Sequence, residues 1–157
     1  MKIIKEIINV LTSLIIVVGG TFLGLYLFGI VPYVVLSSSM EPTIQTGSLS
    51  FINKNAKFKS IKEKEIIAFK LNDGTLVTHR AIKIKKDGIV TKGDNNKHSD
   101  KKIITNNNYI GKNIFWIPKI GYIVMIFQTI KGAIILLTCV LLLFISGILF
   151  GKSEEEK

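Results

Sequence analysis

The sequence predicts a mainly β domain held between two transmembrane α-helices. Three observations predict it. Two uncharged apolar blocks, one near each end, are each long enough to cross a bilayer. Between them, apolar and polar residues alternate in short runs, as in half-buried strands. Those runs are cut by Asn72-Asp73-Gly74 and Lys86-Asp87-Gly88, which are hairpin-turn signals. Of the 157 residues, 48% are hydrophobic and 20% charged, and the apolar excess sits in the two blocks. The stretch between them suffices for one small domain.

The elements follow in order. Residues 1–6 carry Lys2 and Lys5 and form a short N-terminus. Residues 7–30 form the first span, and from Val10 onward they contain no charge. An apolar run of about 21 residues makes a helix of roughly 31 Å, which matches a bilayer core. It exceeds the apolar core of about 7–15 residues in a cleavable signal, so an uncleaved anchor is expected. Residues 31–120 form the β-rich domain, with strands read at 48–52, 76–84 and 88–91. The Asn106-Asn107-Asn108 run reads as a loop. Pro32, Pro42 and Pro118 fall at transitions, where each would block a continuous helix or a central strand. Residues 121–131 read as an interfacial segment containing Tyr122 and Phe127, and Trp116 lies just before it. Residues 132–150 form the second span, with Lys131 at its edge, and 151–157 a polar, acidic tail. Lys2 and Lys5 favour an inside N-terminus, so both termini are expected in the cytoplasm and the middle domain outside. The basic charge of that domain does not oppose this, because long loops and domains translocate largely regardless of charge.

The net charge is +10. The lysines of the middle segment, among them Lys54, Lys57, Lys59, Lys83, Lys85, Lys86, Lys101 and Lys102, are scattered and lack interleaved aromatics. That pattern fits a bilayer surface or plain solubility, and no nucleic-acid partner is expected. One cysteine, Cys139, excludes an intrachain disulfide and a Cys-x-x-Cys zinc site, and two histidines are too few for a His-rich one. No metal and no cofactor are expected.

Chemistry is concentrated at Ser37-Ser38-Ser39-Met40-Glu41-Pro42-Thr43, just beyond the first span. A chain extends at most about 3.6 Å per residue, so a hydroxyl here stays near the membrane. A serine needs a base within hydrogen-bond reach, and the base needs an orienting group. His79 lies on a read strand; His98 lies in the polar run 93–100. A rigid element favours His79 as base. Asp94 and Asp100 are both candidates to orient it. Lys92-Gly93 lacks the pattern of a phosphate loop.

The segments Val35-Leu36-Ser37-Ser38-Ser39-Met40-Glu41-Pro42-Thr43, Thr78-His79-Arg80 and Thr91-Lys92-Gly93-Asp94-Asn95-Asn96, followed by Asp100, resemble the ordered motifs of type I signal peptidases. The His-Arg pair is similar to the endoplasmic-reticulum-type branch, whose base is histidine rather than lysine. Gly111 and the run from Phe115 to Gly121 resemble that family's exit into a C-terminal span. The resemblance implies a signal-peptidase-like β fold and a membrane-bound serine endopeptidase that removes signal peptides from exported preproteins at the outer membrane-water interface. By it, Ser39 matches the nucleophile, His79 the general base and Asp100 the third catalytic member. Asp94 matches an acid in or beside the site, and the Ser37 hydroxyl with the Ser39 N–H matches the oxyanion hole. The implied partners are signal peptides and the lipid bilayer; companion subunits are not given. Two departures stand out. Ser38 replaces a usual Gly, and would be strained if the turn needs positive φ. Gly47-Ser48 stands where Gly-Asp is common. The alternative is a membrane-anchored basic binding module without catalysis.

Overall fold

The computed structural model describes residues 2–152, so Met1 and the acidic residues 153–157 of the expected tail lie outside the described residues. Two compact units emerge, one of residues 26–125 and one combining the two terminal segments.

In the terminal unit, α1 runs Lys2–Leu27. Thr12 and Thr21 donate their hydroxyls to the carbonyls of Ile8 and Val17, one turn back, at 2.8 Å each. Both polar groups are thereby satisfied inside an apolar helix. The helix stops before the expected boundary at residue 30. Gly29 takes φ +72°, a left-handed value that glycine adopts without strain, and its N–H caps the Tyr26 carbonyl. Within α1, Glu6–Leu27 is long and apolar enough to cross a membrane.

The second apolar block lies in one helix, and a break precedes it. Helices α2 (Ile120–Gln128) and α3 (Ile130–Lys152) are separated at Thr129. Taken together, Ile120–Gln128 and Ile130–Ile145 reach the length and apolarity of a span, and they are bent by 92°. The Thr129 side chain accepts from the Gly132 N–H at 3.1 Å, which caps the start of α3 and ends α2. The expected second block, 132–150, lies within α3, and the expected interfacial segment 121–131 holds most of α2 and the break.

The unit of residues 26–125 is built on a six-stranded antiparallel sheet. Its strands are β1 (Ile30–Val34), β2 (Leu49–Asn53), β3 (Ile66–Lys70), β4 (Leu76–Lys85), β5 (Gly88–Lys92) and β6 (Tyr109–Ile117). The spatial order is β1-β2-β6-β3-β4-β5. The β3–β4 and β4–β5 hairpins turn at the two Asp-Gly pairs, with Gly74 at φ +90° and Gly88 at +148°. Gly88 also passes so close to the Ile104 carbonyl that a Cβ would lie 2.3 Å from it.

Apolar residues pack on both faces. Ile61, Ile67, Phe69, Ala81, Ile89 and Ile104 form one cluster; Met40, Ile44 and Ile66 form another, with Val35 and Trp116 against it. Each fully buried large side chain contributes about 1.5–3 kcal/mol. Neighbours Ile66 and Ile67 on β3 point to opposite clusters, so both faces of this strand are buried. Two features of this arrangement position the site. β5 pairs with β4 only over Arg80–Lys85, which leaves the outer edge of the first half of β4 without a β5 partner. The segment after β5 then returns beside it, through Asp100 N–H to Thr91 C=O (2.8 Å) and an Ile89–Ile104 bridge.

Candidate active site

Ser39 stands where the chain leaves β1 and enters a helical turn. Glu41 N–H bonds Ser38 C=O at 3.0 Å, and Ile44 N–H bonds Met40 C=O at 2.9 Å. Met40 and Ile44, 1% and 0% exposed, plug this turn into the second cluster. The Glu41 carboxylate closes the loop by accepting from Thr46 N–H and hydroxyl, at 3.1 and 2.9 Å. From the other side, Asn95 N–H donates to Ser39 C=O at 2.9 Å. Gly93 makes that approach possible, because a Cβ there would lie 2.5 Å from the same carbonyl oxygen.

His79 sits on β4 opposite Ile67 and is 7% exposed. Its ring meets Phe69 edge-on, with centroids 6.0 Å apart. Nε2 lies 3.1 Å from Ser39 Oγ, and Nδ1 lies 2.7 Å from Asp100 Oδ2. The same Oδ2 accepts the Thr91 hydroxyl at 2.6 Å. Burial pushes the Asp100 carboxyl up, but the His79 and Thr91 hydrogen bonds and the nearby imidazole outweigh it and hold the group below its ordinary value. An ionised carboxylate only accepts hydrogen bonds, so the proton between them belongs to Nδ1. Nε2 is then left to accept from the Ser39 hydroxyl. Such a line of serine, imidazole and carboxylate can remove a proton from the hydroxyl and return it elsewhere.

The two acids that the sequence left open occupy different places. Asp94 does not reach the imidazole. It accepts both Arg80 Nε (2.8 Å) and Nη2 (2.6 Å) in a fork. Arg80 also donates to Lys64 C=O at 2.7 Å and to Thr43 Oγ1 at 3.3 Å. Arg80 and Asp94 thus tie β4 to the turn that carries Ser39. The Arg80 hydrogen bonds hold the Asp94 carboxyl below its ordinary value against opposing burial, and the Asp94 bonds raise Arg80.

Both carboxyls are depressed in the folded state, so their stabilisation is present above the ordinary value of 3.8 and lost as pH falls through the lower folded values. Denaturant midpoints measured from pH 7 to pH 2 should fall chiefly below about pH 4. Asp94→Asn should lower the midpoint at pH 7 and flatten that fall.

Ser37 Oγ is 3.2 Å from Ser39 Oγ. Ser38 needs no glycine-like backbone: among described non-glycine residues, positive φ occurs at Lys64 and Lys119. Ser48 is fully buried, and among the described residues its hydroxyl has no hydrogen-bond partner. His98 is exposed in its loop. Among the described residues, no group of three or more His, Cys, Asp or Glu side chains could hold a metal ion. Sequence reasoning missed the roles of Arg80 and Thr91, although both stand in the quoted motifs.

A cleft of about 400 Å³ opens at Ser39. Residues 33–37 line one side and residues 75–78 the other, with Met40 and Ile44 between. Strands β1 and β4 are far apart in sheet order, so the sheet curls enough to bring them around one hollow.

The sequence model described as "Signal peptidase, peptidase S26" matches residues 4–116. The chain belongs to that family. The matched stretch contains every residue of the serine, histidine and aspartate line and the Arg80–Asp94 fork. Among family relatives, Signal peptidase I W of Bacillus subtilis is 36% identical over 110 residues, covering 68% of this chain and 58% of the relative. Signal peptidase complex catalytic subunit SEC11 of Colletotrichum graminicola is 30% identical over 105 residues, covering 59% and 61%. The SEC11C catalytic subunit of Homo sapiens is 32% identical over 106 residues, covering 59% and 55%. The chain thus spans a little over half the length of these signal peptidase family members.

Proposed function

We propose that this chain is a membrane-anchored serine endopeptidase that cleaves N-terminal signal peptides from exported preproteins at the outer membrane-water interface. The observation that carries the reading is the continuous Ser39–His79–Asp100 hydrogen-bond line in a member of the signal peptidase S26 family. In the proposed reaction His79 Nε2 takes the Ser39 proton while Oγ bonds to the scissile carbonyl carbon. The resulting oxyanion is held by the Ser39 N–H and the Ser37 hydroxyl, which turns from Ser39 Oγ to reach it. As the C–N bond breaks, His79 gives its proton to the leaving amine. Water then attacks the acyl-enzyme, with His79 accepting its proton, and Ser39 is restored. Asp100 keeps the imidazole in the required tautomer and stabilises its protonated form.

The substrate side of the proposal uses the cleft. An extended peptide lies between residues 33–37 and the uncovered edge of β4 and pairs with that edge as an added strand. The anchor Glu6–Leu27 confines enzyme and substrate to one bilayer, which raises their effective concentration. In this reading the bent pair of helices returns the chain to the membrane, the β domain is extracytoplasmic, and both termini are cytoplasmic.

The test is processing of a membrane-inserted preprotein by the full chain in vesicles, with the new N-terminus sequenced. Cleavage at the end of the signal peptide is expected; no cleavage overturns the reading. In that assay Ser37→Ala should lower kcat by about 10²–10³, the usual effect of losing one oxyanion donor, with KM little changed.

A further inference from the structure

A second hollow, of about 270 Å³, opens on the sheet face that carries His79. Phe69, Leu71, Val77 and Ile104 form its apolar wall, and Lys101 and Lys102 also line it. The cleft described above includes Ser39 but not His79; this hollow includes His79 and Asp100 but not Ser39. Acyl transfer makes the same division. The acyl half of a substrate stays bonded to the serine, whereas the amine half departs beside the group that protonates it.

We propose that this hollow receives the first residues after the scissile bond, and that Lys101 and Lys102 make it favour acidic side chains there. The inference rests on the peptidase reading given above. Both lysines are exposed, and among the described residues neither forms an ion pair. Lys102 Nζ donates to the neutral Asn72 side chain, which leaves further donors of its ammonium to bind an anion. The one acid of the hollow, Asp100, has its Oδ2 occupied by His79 and Thr91. The lining therefore carries two cations against one engaged anion. The apolar wall holds the stem of the entering side chain, and the lysines meet its carboxylate.

The experiment compares three preproteins that differ only at the second and third residues after the scissile bond: Asp-Glu, Ala-Ala and Lys-Lys. The full chain is assayed in zwitterionic vesicles, so that lipid charge does not compete. At low salt, kcat/KM should be about fivefold higher for Asp-Glu than for Lys-Lys, as for exposed ion pairs. The preference should vanish near 1 M salt, where the screening length is about 3 Å. The Lys101→Glu, Lys102→Glu double variant should reverse it. If that variant fails to fold, the wild-type ratio and its salt dependence still decide. Equal kcat/KM for all three preproteins at low salt overturns the inference and leaves the peptidase reading standing. Cleavage of none of them overturns the peptidase reading itself, and the inference with it.

Discussion

Ser39→Ala and His79→Ala should each lower kcat for preprotein processing by roughly 10⁴–10⁶, with the chain still folded and inserted. The size follows from the roles. Without Oγ no acyl-enzyme forms. Without Nε2 the hydroxyl stays protonated at the moment of attack, and the leaving amine receives no proton. The double variant should be no worse than either single one, because the two groups act as one unit. Neither side chain carries the fold. Ser39 is only half-buried, and its turn is held by Met40, Ile44 and the Asn95 N–H rather than by its hydroxyl. His79 meets Phe69 edge-on and bonds Asp100, which keeps its bond to Thr91 when the imidazole is removed. Far-ultraviolet circular dichroism of both variants should match wild type. Full processing by either variant would contradict the assignment.

Asp100→Asn and Asp94→Asn should separate cleanly, although the two acids stand six positions apart on one loop. Asp100→Asn removes the charge that fixes the Nδ1 tautomer and stabilises the imidazolium, so kcat should fall by about 10⁴, with a modest loss of stability at pH 7. The Asn side chain still has an oxygen for the Thr91 hydroxyl, which is why the loop should hold. Asp94→Asn instead leaves the Arg80 guanidinium without its forked anion. Stability should drop by about 1–3 kcal/mol, and kcat should change less than tenfold. Steady-state kinetics and denaturant titration on the same four preparations, two wild type and one of each variant, give both numbers. A larger kcat loss for Asp94→Asn than for Asp100→Asn would exchange the two roles.

The parts of the fold legible in the sequence are those with local signals. The two hairpins were marked by Asp-Gly turns, and both fall where expected. Strand β3 gave no alternation to read, because Ile66, Ile67, Ala68 and Phe69 are all buried, some on each face. Strand β1 was hidden by Pro32, which a central strand would not tolerate; β1 is an edge strand paired only with β2, where a proline fits. The bend at Thr129, just before the second apolar block, carries a threonine cap that hydropathy does not show.

At the site, the strand position of His79 and the order of the motifs were enough to name Ser39 and His79 together. Asp100 was named by the order of the motifs alone; the residues themselves left it level with Asp94, because no periodicity governs residues 93–104. Thr91 was out of reach for a sharper reason. Counted back from the Gly88 turn in regular register, Thr91 would face Ile82, on the side of the sheet away from His79. The bulge between Ala81 and Lys83 shifts it opposite Ala81 instead, onto the face of His79 and Asp100.

The central claim is that His79 makes the Ser39 hydroxyl nucleophilic, and covalent labelling tests it most directly. The full chain in vesicles is treated with a serine-directed phosphonylating reagent and digested, and the modified peptide is sequenced. The account predicts a single label on Ser39, forming at a rate that His79→Ala reduces by several orders of magnitude. Labelling of Ser39 at an undiminished rate in His79→Ala, or no labelling of Ser39 in the wild-type chain, would contradict it.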